Sequence, residues 1–98
     1  MQEGLDIELL RSFFAAYFHQ DWSIDAERWQ DVTDEYRRAA TPAERLDLAL
    51  AIRGYLAAYN EDELQRGLLR ELGCYFSPHA QGLTARGWLE DVVKMIAS

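Results

Sequence analysis

The sequence predicts an all-α fold: a single compact domain of about five helices covering residues 1–98. Three observations carry this. Apolar residues recur at three- and four-residue spacing along most of the chain, and strict two-residue alternation is nowhere sustained. Cap signals of the kind that start helices precede several of these periodic segments. Ninety-eight residues, 49% of them hydrophobic and twelve of them aromatic, supply one packed core and not two.

The first helix is expected over roughly residues 5 to 19, with Leu10, Phe13, Phe14, Tyr17 and Phe18 on one face and Leu9 beside them. The second is expected to begin at Asp25 as N-cap, turning Trp29, Val32 and Tyr36 inward. Thr41 caps the third, with Pro42 at its first position and Glu44 completing a capping box. That helix should reach about Tyr59, and its wide apolar set (Leu46, Leu48, Ala49, Leu50, Ile52, Tyr55, Leu56, Tyr59) predicts the central position. Gly54 within it costs about 1 kcal/mol against alanine, a cost that close packing can offset. Asn60 and Glu63 form a second capping box ahead of Leu64, Leu68, Leu69 and Leu72, and Gly73 ends that helix. A loop with Pro78 and Gly82 leads to Thr84, the cap of a last helix whose inner stripe is Trp88, Leu89, Val92, Val93 and Ile96.

Charge is distributed unevenly. The net charge of -7 is contained in the first 36 residues, where nine carboxylates meet only Arg11 and Arg28; from Arg37 onward eight acids balance eight bases. Such a local negative field repels nucleic acid and steers a basic partner. On the second helix, the 100° step per residue sets Glu27, Asp31 and Asp34 opposite the apolar side, with Glu35 flanking. Like charges at such spacing cost an isolated helix about 0.2–0.5 kcal/mol per pair. Asp21, Trp22 and Asp25 lie just upstream, and an aromatic within an acidic patch has the character of an interface anchor. The candidate partner-binding residues are therefore Asp21, Trp22, Asp25, Glu27, Asp31, Asp34 and Glu35.

Catalytic and metal chemistry finds little support. His19 with Asp21, or Cys74 with His79, lacks further partners at ligand or triad spacing. The serines fall in no nucleophile motif and the six glycines form no phosphate loop. The expectation is a protein that is not an enzyme, has no cofactor or catalytic residue and binds no metal. The N-terminal residues are acidic where a secretory leader is basic, no apolar run approaches the roughly 20 residues of a membrane span, and Cys74 is alone, so a cytoplasmic location with no membrane contact is expected.

The strings Tyr17-Phe18-His19-Gln20-Asp21-Trp22 and Leu72-Gly73-Cys74-Tyr75-Phe76, followed by Gly82-Leu83-Thr84, Arg86 and Trp88-Leu89, resemble a family of small bacterial immunity proteins of contact-dependent growth inhibition systems, the CdiI type. The resemblance spans most of the chain in order and spacing. It implies a cytoplasmic inhibitor that binds the C-terminal toxin domain of a cell-surface effector, and many such toxins are nucleases. The motif residues themselves fit framework roles: Gly73 as C-cap, Thr84 as N-cap, the aromatics as core. A basic nuclease and an acidic inhibitor are complementary, so the expected mechanism is steric and electrostatic blocking. The alternative is an acidic secretion chaperone or adaptor that binds an apolar segment of a partner through an exposed apolar groove.

Overall fold

The structure is a computed structural model and describes residues 6–97, except for the side chain of Asp25. Leu5, expected in the first helix, lies outside the described residues. Helix α1 spans Ile7–Tyr17, and Asp6 caps it by accepting the Leu9 N–H at 3.0 Å. A one-turn helix, α2, covers Trp22–Asp25, and α3 covers Trp29–Ala39. Then follow α4 (Pro42–Ala58), α5 (Glu61–Arg70), a short 3-10 turn at His79–Gln81 and α6 (Ala85–Ala97). The fold is all-α, with five long helices and one short one among the described residues.

Both capping boxes form as their spacing requires. Thr41 Oγ1 accepts the Glu44 N–H at 3.1 Å while Glu44 accepts the Thr41 N–H at 2.8 Å, and Asn60 and Glu63 repeat the exchange at 2.9 Å each way. Gly73 adopts φ +70°, which closes the turn after α5, and the Cys74 N–H reaches back to the Leu68 carbonyl at 2.7 Å. Thr84 accepts the Gly87 N–H at 2.9 Å at the start of α6.

Two expectations are corrected. Asp25 does not cap the helix carrying Trp29: it ends α2, Ala26 is extended, and α3 starts four residues later behind Arg28. The break lets Trp22 and Trp29 both reach one aromatic cluster, Trp22 against Phe76 (5.5 Å between centroids) and Trp29 against Trp88 (5.9 Å), with Phe76 stacked on Trp88 at 4.7 Å.

The central helix is α6 and not α4. It packs against α3, α4 and α5, while α4 lies against α6 and α1. Leu46 and Leu50, counted toward α4's inner width, are 57% and 53% exposed. The core is one cluster in which Trp88, fully buried, meets Phe14, Phe18, Trp29 and Phe76. Trp88 is the largest fully buried side chain among the described residues, and burying an aromatic of this size removes about 150–250 Å² from water.

Candidate functional site

The seven candidate residues fall on three segments, and the structure separates them into two groups. The first group surrounds Trp22. This side chain is partly buried, its ring packed on Phe18 and Phe76, and it forms the wall between two clefts. One, of about 400 Å³, is bounded by Trp22, Trp29, Phe76 and Leu83, with Glu27, Arg28 and Asp91 at its edge. The other, of about 230 Å³, lies between Tyr17, His19, Trp22, Val32 and Glu35. Trp22 thus has carboxylates on either side, Glu27 and Asp91 at the larger cleft and Glu35 at the smaller. Glu27, Glu35 and Asp21 are exposed and make no ion pair among the described residues.

The second group is the outer face of α3. Asp31 is half-exposed and paired with Arg28 at 3.2 Å; Asp34 faces Arg38 at 3.4 Å and Arg37 at 3.9 Å. The carboxylate stripe is therefore shorter and more compensated than helical spacing from residue 25 predicts. Glu27 precedes α3 and is not on its outer face, Asp31 stands in the first turn where the helix dipole favours it, and Arg37 and Arg38 occupy the last. The side chain of Asp25 lies outside the described residues.

The residues with catalytic potential are engaged locally. The Asp21 N–H donates to His19 Nδ1 at 3.1 Å, a turn contact. His79 Nε2 lies 2.9 Å from Glu61. Cys74 is buried with its Sγ 3.6 Å from the Phe76 carbonyl; burial pushes its thiol up to about 12, so at neutral pH it is a protonated core group and no nucleophile. Among the described residues, no group of three or more His, Cys, Asp or Glu is placed to hold a metal, and no helix is long and apolar enough to cross a membrane.

Sequence reasoning missed two contributors. Asp91 of α6 lines the larger cleft although it lies in the half of the chain where charge balances. Trp29, expected on the inner side of its helix, is only partly buried and lines that cleft too. The motif strings act chiefly as framework. Phe18 and Phe76 are core, and the Tyr75 N–H donates to the Phe18 carbonyl at 2.8 Å, joining the two strings. Arg86 Nη2 donates to the Leu56 and Tyr59 carbonyls at 3.0 and 2.8 Å, satisfying the free end of α4.

Comparison with known proteins bears on the fold and the family. Residues 6–96 match the family model described as CdiI immunity protein. A chain of the crystal structure of a CdiA-CT/CdiI complex from Y. kristensenii superposes with a TM-score of 0.84 at 26% identity, covering 92% of this chain and 97% of that one. Among curated proteins none matches significantly. With the family model spanning the described helices from the α1 cap to the last turn of α6, the chain belongs to the CdiI immunity protein family.

Proposed function

We propose that this protein binds the C-terminal toxin domain of a CdiA effector in the cytoplasm and neutralises it by covering its surface, and that the toxin is a basic nuclease. As a CdiI immunity protein it acts as an inhibitor and not as an enzyme. The observation that carries the binding reading is the family match over residues 6–96, supported by likeness to a chain from a CdiA-CT/CdiI complex. The nuclease reading rests on charge: a surface built for phosphate is basic, and the -7 of this chain lies in its first 36 residues.

The proposed contact surface comprises Asp21, Trp22, Asp25, Glu27, Asp31, Asp34 and Glu35, with Trp22 as anchor between its two clefts. Asp21, Glu27 and Glu35, which make no ion pair among the described residues, are placed to meet toxin cations, while Asp31 and Asp34 add to the long-range field. A secretion adaptor would need an apolar groove; the larger cleft instead mixes aromatic walls with carboxylates, which suits a cationic partner. Co-expression of the CdiA C-terminal domain with and without this chain tests the reading. The expected outcome is growth arrest and nucleic-acid degradation by the toxin alone, rescue by the chain and co-purification of the two. Toxicity that the chain leaves unchanged would refute it.

A further inference from the structure

We infer that the larger cleft is a socket for one arginine of the toxin, with Glu27 and Asp91 as its carboxylate pair and the rings of Trp22 and Trp29 as its walls. This rests on the toxin-binding reading and adds to it a residue, Asp91, from the charge-balanced half of the chain. The cleft has a volume of about 400 Å³ and brings together side chains from five segments: α2, the link before α3, α3 itself, the loop between α5 and α6, and α6.

Three features select the occupant. Glu27 and Asp91 are both exposed and neither has an ion-pair partner among the described residues, so each keeps its charge available to a ligand. Arg28, the cation at the same edge, is neutralised by Asp31 at 3.2 Å, leaving the local balance negative. The walls are aromatic: Trp22 and Trp29 are partly buried, held from behind by Phe76 and Trp88, and present indole surface to the cleft. A flat guanidinium fits this set better than an ammonium, because it stacks on indole and also gives two parallel N–H donors to a carboxylate. An apolar side chain would leave both carboxylates without compensation beside it.

Three of the lining groups belong to segments whose conformation the core fixes, so the socket is formed before the partner arrives. Trp29 is seated on Trp88, Trp22 on Phe76, and Asp91 lies between the buried residues Leu89 and Val92 on α6. Preorganisation of this kind concentrates the effect in the dissociation rate.

The test uses the intact chain and the CdiA C-terminal domain. Association and dissociation rates are measured for the wild type, Glu27→Gln and Asp91→Asn, each crossed with toxin variants in which single arginines or lysines are changed to alanine. Both substitutions keep shape at exposed positions, and unchanged thermal melting confirms the fold. The expected result is dissociation about 10–100-fold faster for each variant, with one toxin Arg→Ala change non-additive with both. Wild-type binding with no effect of either substitution, or coupling to a lysine or to no basic residue, overturns the socket while leaving toxin binding standing. Absence of wild-type binding removes the underlying reading instead.

Discussion

Glu61 does for α6 what a cap residue does for its own helix, although it belongs to α5. Its carboxylate accepts the N–H groups of Ala85 and Arg86 at 2.6 and 3.0 Å and meets His79 Nε2 at 2.9 Å. Burial alone would raise this carboxyl, but the donors from Arg86, His79 and Ala85 outweigh it and hold it below the ordinary 4.5. The sign follows from linkage. A carboxyl whose folded value is depressed contributes stability that is complete above its unfolded value and is lost as pH falls through the folded one. Thermal stability should therefore fall as pH drops below about 4.5, and Glu61→Gln should lower stability at pH 7 by about 1–2 kcal/mol while flattening that acid dependence. Melting curves at pH 7 and pH 3 check both; equal acid slopes in the two proteins would show that other groups carry the effect. No periodicity or cap pattern points to this residue, because its backbone donors lie 24 and 25 positions away in sequence.

Among whole elements, the sequence was most legible where a signal is local. The capping boxes at Thr41 and Asn60 need only residues three positions apart, so spacing alone locates the starts of α4 and α5. Legibility failed between α1 and α3, where a four-residue helix and an extended link are set by the distant rings of Phe76 and Trp88. It failed again in choosing the central helix, since residues such as Leu46 and Leu50 widen the apolar face of α4 without being buried. Glycine shows the same limit. Nothing in the local sequence points to Gly67 of α5, yet an added Cβ there would run into the hydroxyl of buried Tyr55. Propensity alone would make Gly67→Ala stabilising by about 1 kcal/mol. Overpacking costs about 1–3 kcal/mol, so the expected net effect is destabilisation, and the double variant Gly67→Ala with Tyr55→Phe should recover much of it by removing the obstructing oxygen. Urea denaturation of the three proteins decides; a Gly67→Ala variant more stable than wild type would mean that Tyr55 yields without cost.

For the molecule as a whole, the confinement of charge to the first 36 residues is plain in the sequence, while its distribution over the surface is not. Which carboxylates are paired depends on where α3 starts: with Trp29 as its first residue, Arg28 reaches Asp31 and the last-turn arginines reach Asp34. The candidate site was likewise half legible, since Trp22 and Glu27 could be named from the chain but Asp91 joins them only through the docking of α6 on α3. These pairs are exposed and worth about 0.3–0.5 kcal/mol each, so the double reversal Asp31→Lys with Asp34→Lys should leave the fold intact. It shifts the net charge by four units on the face proposed to meet the toxin. Exposed charges act mainly on encounter, through a field that salt screens beyond about 8–10 Å. Association with the toxin should therefore slow by about 10-fold or more at low salt, with a smaller change in dissociation, and the salt dependence of the association rate should shrink. Stopped-flow measurements at two ionic strengths separate these terms, with Glu27→Gln as the contrasting variant expected to act on dissociation. If the double reversal leaves association and growth protection as they are in the wild type, the outer face of α3 is a solvated surface and the toxin approaches from elsewhere.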